Sequence, residues 1–226
     1  MIRVPSRSEV DLLSLGMNEV ARQARAELQA FWLTLPKDDL VYVREQLEEF
    51  FPSLIDTYGD VASVVAADWY ESVMNQPSYI GDLKPEAQVN ARMRWAMTAG
   101  FDGDVDQALA TLQMVTDELV KQFGRDTVMR SASKNGVRYA RVPSGSETCA
   151  FCLMLASRGY VYSSQAKAGD LVKFHGECDC QIVPDDGRVP DGYDPDALYE
   201  LYLEAHDPGD TGRQVAKKLR KQLGIK

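Results

Sequence analysis

The chain has 226 residues, of which 45% are hydrophobic and 26% are charged, the balance of an average soluble globular protein. Its formal net charge of −9 argues against simple wrapping of a nucleic-acid backbone, which requires a positive surface. No apolar run approaches the roughly 18–20 uncharged residues that cross a bilayer, and the N-terminus lacks an apolar core followed by a cleavage site. We therefore expect a protein that is made and folded in a cytoplasm and has no membrane contact.

The N-terminal segment predicts a long amphipathic helix. Ser8 with Asp11 three residues later is a helix-start pattern. Apolar residues then recur at spacings of three and four from Leu13 to Leu35, and they form one stripe. Pro36 is expected to end this helix.

Two further helices are predicted between residues 37 and 75. A more charged segment covers about residues 37–50. Pro52 is then expected to open a separate helix at its first turn, where the missing amide hydrogen costs nothing. The apolar stripe of that helix begins at Ile55 and ends at Val73.

A short helix around residues 87–99 and a long helix capped by Asp104 complete the N-terminal region. Gly124 is expected to kink or stop the long helix. Residues 1–130 therefore predict a helical bundle or an extended helical array.

The pattern changes after residue 130. Short strands are predicted at Val137–Val142, Tyr160–Tyr162, Val172–Phe174 and Gln181–Val183. Their few apolar residues cannot build a large core, so a segment of this kind needs a covalent or metal staple.

Residues 191–226 predict a helix that starts at Asp194 or Asp196, and then a basic helix after Pro208. The tail 211–226 has six basic residues and no acid, which leaves −15 on residues 1–210. The tail is either a solvated helix end or a contact for DNA or an acidic partner surface. The candidate contact residues are Arg213, Lys217, Lys218, Arg220 and Lys221.

The predicted fold class is therefore mainly α, with three regions. A helical bundle or array at 1–130 is followed by a small zinc-stapled α+β module at 131–190 and a C-terminal helical segment with a basic tail at 191–226.

All four cysteines lie within 32 residues of one another, in the pattern C-x2-C-x22-H-x2-C-x-C. Zinc prefers thiolate and imidazole ligands in a tetrahedron, and this pattern supplies five candidates for four positions. The candidates are Cys149, Cys152, His175, Cys178 and Cys180. If residues 178–180 are extended, Cys178 and Cys180 project to the same side, so either can complete the tetrahedron. We predict a structural Zn²⁺ site.

Two other interpretations of the cysteines are weaker. A redox C-x2-C normally opens a helix within an alternating α/β pattern, which this sequence lacks. A catalytic zinc needs an open coordination position, and four or five strong ligands leave none. No phosphate loop, nucleophile elbow or H-E-x-x-H pattern occurs, so we expect no enzymatic activity.

The string RVPSGSETCAFCLMLASRGYVY (residues 141–162), followed by FHGECDCQIVP (174–184), resembles minor head proteins of tailed phages related to protein F of phage Mu. The actinobacterial-phage versions are the most similar, and the resemblance is strongest over residues 137–184. Many relatives have proline after the histidine, where this chain has Gly176.

The resemblance implies a structural minor capsid protein that acts in head morphogenesis, either in assembly or in DNA ejection. Its partners would be the portal or the major capsid protein, and packaged DNA through the basic tail. Its location would be the interior of the head or the portal region of the virion, after assembly in the host cytoplasm. Some relatives are named capsid maturation proteases, so a protease or thiol-dependent hydrolase is the alternative. A nucleic-acid-binding zinc module ranks lower, because the charge around the cysteines is mixed.

Overall fold

A computed structural model describes residues 5–82, 84–145, 148–163, 174, 178, 180–185 and 189–225. The mainly α fold is confirmed, since the described part of the chain contains long helices and one small sheet. The helices are α1 (Arg7–Thr34), α2 (Leu40–Met74), α3 (Glu86–Ala96), α4 (Thr98–Phe101), α5 (Val105–Lys134), α6 (Ala150–Ala156), α7 (Pro195–Ala205) and α8 (Gly212–Leu223). The strands are β1 (Tyr139–Val142) and β2 (Gln181–Pro184).

Helix α1 begins two residues before the position that the sequence pattern indicated. Ser6 is the N-cap: Glu9 N–H donates to Ser6 Oγ at 3.3 Å, and Ser6 N–H donates to Glu9 Oε2 at 2.7 Å. The prediction based on Ser8 and Asp11 was therefore wrong, because the reciprocal capping pair of Ser6 and Glu9 satisfies two free amides two residues earlier. At the other end, Leu35 caps the helix just before Pro36, as predicted.

The predicted break at Pro52 is wrong, because α2 continues through this residue as a single helix. A proline inside a helix leaves the carbonyl four residues earlier without its amide donor. Here the Asn90 side-chain amide donates to that carbonyl, Glu48 O, at 3.4 Å. The neighbours Phe51 and Ile55 are fully buried, so apolar packing offsets the local loss of a hydrogen bond.

The predicted kink or stop at Gly124 is also wrong. Asp104 caps α5 as expected, accepting from Gln107 N–H at 2.9 Å, and the helix then continues to Lys134. A Cβ atom at Gly124 would lie only 2.6 Å from the Met17 Sδ atom and 3.2 Å from Ala62 O. Glycine is needed here because α1, α2 and α5 approach one another closely.

The first and last of the predicted strands are confirmed, and the structure shows that they pair with each other. β1 and β2 pair antiparallel, with Tyr139 opposite Pro184 and Val142 opposite Gln181. Tyr162 adds an isolated bridge to Tyr139. Of the predicted strand Val172–Phe174, residues 172 and 173 lie outside the described residues.

One apolar core extends from the helical bundle into the small sheet. Buried residues of α1, α2 and α5 pack in the same cluster as Tyr139, Leu155 and Ile182. The division at residues 130 and 190 stays a prediction, and this continuous core shows how closely the first two regions pack. None of the described helices is long and apolar enough to span a membrane.

The C-terminal helices pack against the beginning of the cysteine-bearing segment. Val215, Ala216 and Leu219 of α8 form a small core with residues of α6 and α7. The members contributed by those two helices are Ala150, Met154 and Ala205. Helix α8 therefore has one face occupied by the body of the protein.

Candidate metal centre

The first two cysteines lie at the start of α6. Cys149 is the N-cap residue, and the Cys152 backbone N–H donates to its Sγ at 3.4 Å. The three-residue spacing thus places Cys152 one turn into a short helix, where it is 1% exposed. The Cys149 sulfur thus satisfies one of the free backbone amides at the start of the helix.

The last two cysteines come to the same place because β2 begins immediately after them. Cys178 is 3% exposed and Cys180 is fully buried. The pairing of β2 with β1, which leads to α6, brings Cys178 and Cys180 beside Cys152. The ligand atoms of these three cysteines all lie within 4.8 Å of one another.

These distances fit a zinc–thiolate centre. The Sγ atoms of Cys152 and Cys178 are 3.4 Å apart. Two sulfurs of a regular tetrahedron with zinc–sulfur bonds of 2.3 Å are about 3.8 Å apart. All four cysteines are free thiols in this structure, so no disulfide competes for the sulfurs. Three buried cysteines close together can hold a metal ion.

The five predicted ligands are not all placed together by the described residues. Cys152, Cys178 and Cys180 form the close group. Cys149 adjoins it through the hydrogen bond from Cys152 but is only half-buried and does not belong to that group. His175 lies outside the described residues. Cys178 and Cys180 are both in the group, so the choice between them stays open.

Two buried arginines stand beside the sulfurs, and the sequence pattern did not predict them. Arg125 of α5 is 2% exposed and Arg141 of β1 is fully buried. Arg125 Nε donates to Cys180 O at 3.2 Å, and its Nη2 donates to Cys178 O. Arg141 Nη1 lies 3.9 Å from Cys152 Sγ.

The aromatic ring of Phe174 completes this environment. Its centroid is 3.9 Å from the Arg125 guanidinium carbon and 3.6 Å from that of Arg141. Such contacts are favourable, because a guanidinium carries positive charge and the face of an aromatic ring is negative. The burial of these two arginines could not be recognised from the sequence, because arginine on a helix or strand is usually assigned to the exposed face.

The electrostatics favour an anionic sulfur at Cys178. Hydrogen bonds from the Cys152 and Cys180 thiols lower the pKa of Cys178, and the positive charges of Arg125 and Arg141 act in the same direction. The pKa of Cys152 is raised, first by its hydrogen bond with Cys149 and then by that with Cys178. The thiolate is the form that binds a metal, so the lowered pKa of Cys178 favours the ligand form of this sulfur.

The basic residues predicted as a contact surface lie on α8. Arg213, Lys217, Arg220 and Lys221 are exposed. Lys218 differs, because its Nζ pairs with Asp207 at 2.6 Å and with Asp210. These two carboxylates raise the pKa of Lys218 through hydrogen bonds, and the lysine is thus engaged within the chain.

Comparison with known proteins identifies phage relatives. The family model described as VG15 protein matches residues 4–205. The chain is similar to the Gene 15 protein of Mycobacterium phage D29, with 28% identity over 181 residues that cover 61% of this chain and 65% of the relative. The Gene 15 protein of Mycobacterium phage L5 is 26% identical over 222 residues, which cover 73% of each chain.

The chain thus spans slightly less than two thirds of the D29 protein's length. No solved structure shows significant similarity to the chain. The resemblance to proteins related to protein F of phage Mu is supported only as a phage protein family, and the Mu type is not confirmed. Since the VG15 model matches far more than half of the sequence, the chain belongs to the VG15 protein family.

Proposed function

We propose that the protein is a structural component of a tailed-phage head that acts in morphogenesis. The family membership and the two phage relatives support a phage role. The buried cysteine group is the observation that carries the structural part of the proposal, because it is placed to hold a fold together. The proposed partners are the portal and the major capsid protein.

The proposed metal is Zn²⁺, held by Cys152 with one or both of Cys178 and Cys180, and with Cys149 and His175 as the further candidates. A bound zinc would supply cross-links between α6 and the segment before β2. In small modules the free energy of metal binding is folding free energy. The short elements of this segment make that contribution important, since α6 has 7 residues and each strand has 4.

A non-catalytic role fits the burial of the sulfurs better than a protease or thiol-hydrolase role. Cys152 is 1% exposed, and the pKa of its thiol is raised. A nucleophilic cysteine needs a lowered pKa and access to a substrate. Cys178 has the lowered pKa, but it is 3% exposed and lies against two buried arginines.

The location can be tested on purified phage particles. Quantitative mass spectrometry of intact virions, empty heads and tails is expected to find the protein in heads at low copy number. Deletion of its gene is expected to leave particles that are defective in head assembly or in DNA ejection. Absence from both virions and assembly intermediates, with normal particles after deletion, would overturn the proposal.

The basic face of α8 is the proposed contact for packaged DNA. Val215, Ala216 and Leu219 are buried against α6 and α7, so the exposed cations project from a docked helix. Neutralising phosphates releases counterions and makes binding strongly dependent on salt. The net charge of −15 on residues 1–210 leaves this face as the most favourable one for a polyanion.

We expect an R213Q/K217Q/R220Q/K221Q variant to lose weak binding to double-stranded DNA that the wild type shows at low salt. Removing one cation that neutralises a phosphate reduces the slope of log affinity against log salt by about 0.9. A K218Q variant is the matched control, because Lys218 is paired within the chain. Fluorescence anisotropy at several salt concentrations measures the DNA affinity of each variant and its dependence on salt. Equal binding by the wild type and the fourfold variant would refute the DNA contact.

A further inference from the structure

Arg125 is a buried cation in the middle of α5. Its side chain is 2% exposed, and a guanidinium stays charged in a protein. Burial of a charge is costly unless an opposite charge or several hydrogen bonds compensate it. Within the part of the chain that the structure describes, Arg125 forms no ion pair with a carboxylate, and its Nη1 atom has no hydrogen-bond acceptor.

The groups that do face Arg125 belong to the cysteine segment. Its Nε and Nη2 donate to the carbonyl oxygens of Cys180 and Cys178, which flank a single residue. The planar fork of arginine suits two acceptors at once, which a lysine ammonium cannot reproduce.

We propose that Arg125 is a positioning residue of the metal centre, which holds the Cys178–Cys180 backbone against α5 and balances the negative charge of the metal–thiolate group. A zinc ion with three thiolates and one neutral ligand carries −1, and with four thiolates it carries −2. One or two buried guanidinium groups beside it match that charge. This inference rests on the zinc site proposed above.

If Arg125 only packs against its neighbours, its loss should affect stability equally with and without zinc. The Arg125 guanidinium lies 3.9 Å from the centroid of the Phe174 ring, and removing this interaction would weaken the fold whether or not metal is bound. If Arg125 instead serves the metal–thiolate group, its loss matters most when zinc is present. Without zinc the charged metal–thiolate group that Arg125 would balance is absent, so loss of the buried cation should matter less.

The test uses the full chain with Arg125→Gln, which removes the charge, and Arg125→Lys, which keeps the charge but loses the fork. Arg130→Gln is the matched control, because Arg130 lies on the same helix, is 36% exposed and pairs with Asp82 outside the cysteine group. Zinc affinity is measured by competition with a chromophoric chelator. The thiolate-to-metal charge-transfer bands of the Co²⁺-substituted protein report how the sulfurs are arranged.

We expect Arg125→Gln to weaken zinc binding by about 10- to 100-fold, the usual effect of losing a partner of a metal ligand. Arg125→Lys should weaken zinc binding less, and Arg130→Gln should bind zinc as tightly as the wild type. The Co²⁺ bands should shift or lose intensity in both Arg125 variants. The fall in Tm caused by Arg125→Gln should be larger with zinc than after treatment with a chelator.

Zinc affinity within twofold of the wild type for Arg125→Gln, with equal falls in Tm with and without zinc, would overturn the proposal. If Arg125→Gln does not fold, Arg125→Lys decides in the same way, since unchanged affinity and unchanged Co²⁺ bands would refute the positioning role. Failure of the wild type itself to bind zinc would refute the proposed metal site instead, so the two failures are distinguishable.

Discussion

The helical bundle (α1–α5) and the cysteine module (β1, α6 and β2 with the four cysteines) fill one continuous core with different groups. In the bundle, long helices present stripes of buried apolar residues, such as Leu47 and Phe51 of α2. In the module, a short helix and two short strands surround sulfurs, guanidinium groups and one phenyl ring. Apolar burial grows with element length, whereas a thiolate–metal group stabilises a segment too short for a large core.

The sharpest way to separate the two regions is to remove the metal. Structural zinc contributes roughly 10–16 kcal/mol of binding free energy in zinc-finger peptides, so chelation is expected to unfold the module while α1 and α2 stay folded. Hydrogen exchange should become fast at the amides of β1 and β2 and remain slow in the bundle.

A Cys152→Ser variant should reproduce that exchange pattern, and added zinc should restore protection in the chelated wild type but not in the variant. Cys152 is the cysteine that links α6 to the rest of the group. Slow exchange in β1 and β2 of the variant would mean that apolar packing alone holds the module.

Shortening a buried side chain in the bundle should have the opposite effect: it should lower the free energy of unfolding and leave zinc binding unchanged. Leu47 is fully buried in α2, and Leu47→Ala is expected to lower the free energy of unfolding by about 2–5 kcal/mol through lost burial and a cavity. Leu33 is 74% exposed, so Leu33→Ala serves as the control with little effect. Denaturant titration of the zinc-loaded protein measures both changes. Zinc stoichiometry should be the same in both variants, and a loss of zinc in Leu47→Ala would show that the regions are not separable.

The smallest expected effect concerns the start of α1. Ser6→Ala removes the capping pair with Glu9 and should cost about 1 kcal/mol. Ser8→Ala, at the position that the sequence pattern favoured, should cost clearly less. Thermal unfolding of the two variants compares them, and the reverse order would mean that the helix begins at the later residue.

The sequence predicted elements with strong periodicity well and their interruptions poorly. The cap at Asp104, the choice of Asp194 or Asp196 as the start of α7, and the first and last strands were predicted, because each has a local signal. The continuity of α2 through Pro52 was missed because it depends on Asn90, a distant residue that donates to the carbonyl freed by the proline. The effect of Gly124 likewise depends on Met17, which lies far away in the sequence.

The same limit applies to the candidate site. The cysteine spacing predicted that the two halves of the motif meet, and three of the sulfurs do lie together. Nothing local indicated that Arg125 and Arg141 would be buried against them, because their role comes from tertiary contacts between α5, β1 and the cysteine segment. Spacing identifies candidate ligands, whereas the charge that surrounds them is a property of the fold.

Native mass spectrometry of the freshly purified full chain tests the central claim most directly. A mass that includes one zinc ion per chain, lost together with the exchange protection of β1 and β2 on chelation, is the predicted result. A metal-free mass of a fully folded protein, or a mass reduced by the hydrogen atoms lost to a disulfide, would contradict it.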